Sequence, residues 1–209
     1  MINRITPLLL SLLFAKDWLT TNAIIIMVFF FCSCEDTKTD STNIVDYGVV
    51  INEINYNSSD GFDPEDWVEL HNPTNETIAI GLWEFKDDND DHVFTLSENI
   101  VLSPGQYLVL CKDADVFSEL FPNVSKFVGD LGFGLSASGE LVRLFESNGL
   151  LIDEVEYDDV VPWPILADGN GPTVELINPS LDNALGENWA ASDGYGTPGA
   201  VNSVYVADE

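Results

Sequence analysis

EDWVELHN, residues 65–72, reads as a strand with two chemically different sides. Side chains of a strand point alternately to opposite faces. Val68 and Leu70 then face a core, while Trp67, Glu69 and His71 point outward and Glu65 and Asp66 fall in the loop before. Such alternation belongs to an antiparallel sheet packed on one face and solvated on the other. The carboxylates and the histidine are therefore expected on the wet face.

Working outward, the same texture recurs. VVINEI, TIAIGLWEF, HVFTL, QYLVLC, LVRLF, LLIDEVEY and TVELI are short and rich in Val, Ile, Leu and aromatics. Turn-forming stretches separate them: NSSDGFDPED, NPTN, DDNDD, SPG, SASG, SNG and DGNGP. Short strands with regular turn punctuation predict an all-β sandwich or barrel. Helix is expected only at ADVFSELF, residues 114–121. Trp83 reads as a mid-strand core residue, and Trp163 and Trp189 as anchors that pin the C-terminal part to the sandwich. Cys111, within YLVLCK, reads as a buried cysteine rather than a nucleophile.

Seven Lys and Arg face 36 Asp and Glu, a formal net charge of -29. A surface this negative repels phosphate backbones, so no nucleic-acid partner is expected. Hydrophobic residues make up 45% of the chain, which calls for a packed core beneath the acidic surface. Arg4 precedes two apolar runs, ITPLLLSLLF and AIIIMVFFF, and neither reaches the roughly 20 residues that a spanning helix requires. The second run ends in FFCSC, which resembles a bacterial lipobox. Residues 1–33 then form a lipoprotein signal peptide, with Ser33 before the cut and Cys34 as the lipidation site. Residues 34–46 form a flexible tether. Its EDTKTD resembles the acidic export signals of Bacteroidetes surface lipoproteins. The expected location is the cell envelope, as an outer-membrane lipoprotein held to the membrane by its lipid anchor.

VVINEINYN, DWVELHNPTNETIAIGLWEF, VFTLSENIVLSPGQYLVL and LSASGELVRLFESNGLLIDEVEY, in that order, resemble the lamin tail domain in its bacterial form. The later DGNGPTVELINP, NW and GTPGAVN resemble an extension that follows it in bacterial members. The resemblance implies an immunoglobulin-like β-sandwich with Greek-key connections and about eight or nine short antiparallel strands. It spans residues 47–203 with its C-terminal extension and leaves 204–209 as a tail. It also implies a binding or adhesion module without catalysis, whose partner is a protein or glycan at the cell envelope. An accessory or targeting module for a secreted hydrolase and an enzyme of unrecognised type are the alternatives.

Catalytic and metal patterns are sparse. Ser136 and Ser138 in GLSASG do not match the spacing of a nucleophile elbow, and no catalytic residue is assigned. Calcium is the one cofactor with a pattern. In KDDNDDH, Asp87, Asn89 and Asp91 occupy every second position and Glu98 falls at the twelfth, as in an EF-hand loop. His92 replaces the glycine of that loop, and strands flank it. A solvated acidic hairpin tip is the competing reading. A second group of acids comprises Glu53, Asp60, Asp63, Asp66 and Glu69, where the loop SDGFDPEDW could bring an Asp beside Glu53. Loop capping and surface charge compete with it.

Overall fold

Val50–Asn55 (β1) and Trp67–His71 (β2) pair antiparallel at the centre of the larger of two sheets. The further strands, in chain order, are β3 (Ile78–Ala79), β4 (Glu84–Lys86), β5 (Phe94–Thr95), β6 (Val101–Leu102), β7 (Tyr107–Cys111), β8 (Phe127–Gly129), β9 (Glu140–Phe145), β10 (Leu151–Tyr157), β11 (Val174–Leu176) and β12 (Trp189–Ala191). Helix α1 (Ala114–Leu120) lies between β7 and β8. The structure is a computed structural model that describes residues 48–207. The expected signal peptide, Cys34 and the tether lie outside the described residues.

The strands form an immunoglobulin-like sandwich. One sheet runs β12-β11-β1-β2-β7-β8 and the other β10-β9-β4-β5, with β3 and β6 as a separate pair. Val68, Leu70, Leu108 and Leu110 from the first sheet meet Phe85, Val142, Leu144 and Val155 from the second, all buried. Burial of each such side chain contributes about 1.5–3 kcal/mol. Two departures from the expected pattern are local. β8 pairs parallel with β7, because α1 carries the chain back over the sheet between them. TIAIGLWEF is two strands, because Leu82 adopts a positive φ of 64° and turns the chain. Trp83 thus lies in a turn rather than mid-strand, yet it is buried.

The wet face predicted for β2 does not exist. Trp67 and Glu69 have no solvent exposure, and His71 retains 7%. The outer face of the six-stranded sheet is covered twice. At one end α1, capped by the Asp113 side chain on the Val116 N–H, buries Phe117 against Trp67, Val109 and Cys111. At the other end the segment that follows β12 crosses back over β11, β1 and β2. A large apolar residue such as Trp67 on the outer strand face favours such a third layer. The sequence pattern placed it outward correctly, but alternation alone cannot say what lies beyond.

Candidate functional site

The register between β1 and β2 shifts between Ile51 and Glu53, a β-bulge. One extra residue in the bulged strand places Asn52 and Glu53 together on the outer face. Glu53 then stands directly opposite Glu69 on β2 and Glu175 on β11. All three carboxylates are fully buried. Like charges directly opposite each other in a sheet are destabilising, so this arrangement requires compensation.

It comes from the strap formed by residues 196–204. The Thr197 N–H donates to Glu53 Oε1 at 3.0 Å, and the Thr197 hydroxyl donates to Glu175 Oε1 at 2.7 Å. The Gly199 N–H donates to Glu69 Oε2 at 2.5 Å. The Ser203 hydroxyl and the Val204 N–H both reach Glu175 Oε2, at 2.7 and 3.2 Å. Thr173 adds a hydroxyl to Glu53 Oε1 at 2.6 Å. Asn202 completes the seal: its amide donates to the carbonyls of Leu176 and Asn52, and its oxygen accepts from the Asn52 side chain. Of the oxygens of these three carboxylates, Glu53 Oε2 has no hydrogen-bond partner among the described residues. Burial, reinforced by Glu69 and Glu175, pushes the Glu53 carboxyl well above the ordinary range. Burial pushes Glu69 up to about 8, against the hydrogen bonds from Gly199 and Asn52. The cluster is therefore a fastening that a proton stabilises.

Beside the strap lies an open cleft of about 390 Å³ walled by His71, Tyr107, Tyr205, Pro73, Pro179 and Val201. His71 stacks on Tyr107 with ring centres 4.2 Å apart, and its Nδ1 lies 3.2 Å from the Gln106 carbonyl. Burial lowers the His71 pKa, so the ring favours its neutral form. Tyr107 is also a wall of a second hollow of about 310 Å³, with Asn123, Ser125 and Lys126. Lys126 is fixed there by Gln106 Oε1 and the Val101 carbonyl. Two adjoining hollows thus share an aromatic partition on a rigid sheet.

The family pattern for the lamin tail domain matches residues 46–159. The chain belongs to the lamin tail domain family. It is also similar to the multifunctional procollagen lysine hydroxylase and glycosyltransferase LH3 of Homo sapiens, 32% identical over 114 residues. Those residues are 54% of this chain and 13% of the relative's length. The LH3 proteins of Pongo abelii and Rattus norvegicus match at the same identity over the same extent.

Within this lamin tail domain, the sequence-predicted acids separate into unlike surroundings. Glu53 and Glu69 come together. Asp66 does not join them: its Oδ2 accepts the Leu135 N–H at 2.8 Å and lies 3.9 Å from Lys112 Nζ. Asp60 is exposed, and Asp63 caps the Glu65 N–H. At the hairpin tip, Asp87 and Asn89 accept the N–H groups of Asn89 and Asp91. His92 Nδ1 pairs with Asp87 Oδ2 at 2.6 Å, and Arg143 pairs with Asp90 at 3.0 Å. The hydrogen bond to Asp87 raises the His92 pKa. Among the described residues, the acids whose oxygens converge closely enough for one ion are Asp87, Asp88 and Glu140. Asp91 and Glu98 are not part of that group. In the β-hairpin Asp87 and Asn89 spend their side-chain oxygens on the turn, and the acids that stand beside Asp87 are Asp88 and Glu140 rather than the residues of the EF-hand spacing.

Sequence reasoning missed Glu175 and Asp153. The tripeptide Val-Glu-Leu occurs at 68–70 and again at 174–176, a repeat that could have paired Glu175 with Glu69. Asp153 sits on the smaller sheet, where its Oδ2 accepts the Ile51 N–H at 2.6 Å and the Asn183 amide at 2.7 Å. It thereby satisfies the bulge from the core side, and burial pushes its pKa to about 6. Val204–Val206, expected in the tail, are bonded to the domain through Glu175, Asn202 and Ile177.

Proposed function

We propose that this lamin tail domain is a non-catalytic binding module that takes a segment of a protein or glycan in the cleft beside the strap. The observation that carries the reading is the pair of hollows divided by Tyr107. Their volume lies in the range of ligand sites, and aromatic faces bind both sugar rings and apolar side chains. The convergent acids next to them are engaged by the strap rather than poised for proton transfer. His71 ends β2 and stacks on Tyr107, whereas His92 lies in the loop between β4 and β5 and pairs with Asp87, so the two histidines do not share the one site that a two-histidine-one-carboxylate oxygenase set requires. Hydroxylation is therefore not carried over from the collagen-modifying relatives, and a match over 13% of such a relative's length carries over no other activity of it. Lipidation at Cys34 would hold the module at the cell envelope, as an outer-membrane lipoprotein, where such polymers are within reach.

The test is binding of the full chain to cell-envelope glycans and to envelope proteins, followed by isothermal calorimetry on each hit. Tyr107→Ala should weaken a true cleft ligand by tenfold or more while the far-ultraviolet circular dichroism stays unchanged. Hits that bind Tyr107→Ala as well as the parent would remove the cleft from consideration.

A further inference from the structure

The loop from Val160 to Ala167, none of whose residues line the cleft or the second hollow, exposes four aliphatic side chains. Val160 is 53% exposed, Val161 76%, Ile165 56% and Leu166 62%. Leu185, also exposed, joins them, because the adjacent Gly186 lies against Pro162 and the Trp163 ring. These residues cannot fold inward. Trp163 already fills the space beneath, packed on Trp189 with ring centres 5.6 Å apart. The loop is tied by Trp163 N–H to the Val160 carbonyl, by Ala167 N–H to the Pro164 carbonyl and by Gly169 N–H to the Asn57 carbonyl. The Asn57 amide donates to Asp168 Oδ1 at 2.6 Å. A contiguous apolar patch on a rigid support marks an interaction surface.

The rim identifies the partner's chemistry. Asp158 and Asp159 precede the patch, Asp168 follows it, and Asp182 and Glu187 flank the Leu185 loop. Asp158, Asp159 and Asp168 all act on the Tyr56 hydroxyl, so they gather on one side. From Leu144 to the last residue the chain contains no Lys, Arg or His. A second copy would set these acids against their own kind at a net charge of -29 each. A neutral lipid surface would desolvate them without a counter-charge.

We propose that Val160, Val161, Ile165, Leu166 and Leu185 dock a protein partner whose contact face has an apolar centre ringed by Lys and Arg. The apolar centre covers the aliphatic block, and the cations meet the acidic rim, which also speeds encounter.

The probe is a fluorescent amphipathic helical peptide with a leucine face bordered by lysines, titrated into the full chain and read by anisotropy. A peptide of equal charge with serine in place of leucine is the control for diffuse attraction to an acidic protein. Val161→Ser/Leu166→Ser changes only exposed side chains, and its melting temperature verifies the fold. The expected result is that the leucine peptide binds the parent at least tenfold more tightly than either the serine peptide or the double variant does. Equal binding of the two peptides, or equal binding by parent and variant, would overturn the proposal. It would also fall if phosphatidylcholine vesicles, or the chain itself in sedimentation, showed the only association that depends on Val161 and Leu166.

Discussion

Glu53 and Glu69 stand directly opposite each other on β1 and β2, both without solvent exposure, and each is bonded to a backbone N–H of the strap. A cross-strand pair of acids is unfavourable unless protons or donors neutralise it. Here the donors come from a segment more than a hundred residues away, so the carboxylates link the end of the domain to its first two strands.

That arrangement sets a pH dependence. Glu69 rises from 4.5 to about 8 on folding, and Asp153 from 3.8 to about 6. A carboxylate raised in this way contributes stability that is complete below its unfolded value and is lost as pH rises through its folded value. Stability should therefore fall from about pH 5 to about pH 8, by up to about 1.4 kcal/mol per pH unit for each titrating group. His71 acts oppositely: its lowered pKa costs stability as pH falls below 6.5. Urea titrations at several pH values check this, in 0.5 M salt to suppress general repulsion among surface acids. Glu69→Gln should flatten the slope between pH 5 and 8. An unchanged slope would mean that the buried acids are not its source.

The strap itself can be tested at two positions. Asn202→Ala removes the buried donor to the Leu176 and Asn52 carbonyls and the acceptor of one Asn52 amide bond, leaving that amide only Glu69, an expected loss of about 2–4 kcal/mol. At Gly196 the backbone has a φ of 93°, and an added Cβ would collide with Glu53 Oε1 and with Thr173. Gly196→Ala should destabilise by a similar amount, through strain as well as contact. Hydrogen exchange locates the damage. Thr197 and Gly199 should lose protection first, and wild-type protection there in both variants would contradict the role given to the strap.

The two-layer core was legible in the sequence, because alternation in WVELH marks Val68 and Leu70 as inward residues, which they are. Helix α1 was legible too, at its predicted place. The third layer was not. Nothing local in VNSV, residues 201–204, signals that Asn202 and Ser203 would satisfy groups on β1 and β11. For the same reason Glu69 looked solvated: a polar residue on the outer face of a strand is ordinarily wet, and only tertiary contact reverses that. In KDDNDDH the twelve-residue spacing falls on a β-hairpin, which brings Asp87 beside Asp88 and Glu140 rather than beside Asp91 and Glu98.

The hairpin tip yields a prediction of its own. Asp87 is already paired with His92 and a turn N–H group, and Asp90 with Arg143. Millimolar calcium should then raise the melting temperature no more than magnesium does, both acting through charge screening. A calcium-specific rise of several degrees, abolished by Asp88→Asn, would instead make Asp87, Asp88 and Glu140 a site.

Cys111 provides a probe of the covered outer face. Its thiol is fully buried between Trp67 and Phe117, with its sulfur 3.4 Å from the Val128 carbonyl. Burial pushes the pKa up to about 12, far from the thiolate form that reacts. In a chain carrying Cys32→Ser and Cys34→Ser, a disulfide reagent should label Cys111 only as fast as the face opens. Phe117→Ala removes the aromatic that α1 lays over the thiol, at an expected cost of about 3–5 kcal/mol. It should accelerate labelling by a hundredfold or more at neutral pH, with the urea midpoint falling in parallel. If α1 instead lifts independently of the sandwich, labelling will accelerate while the midpoint stays where it was. The helix would then be a separately opening unit rather than part of the third layer.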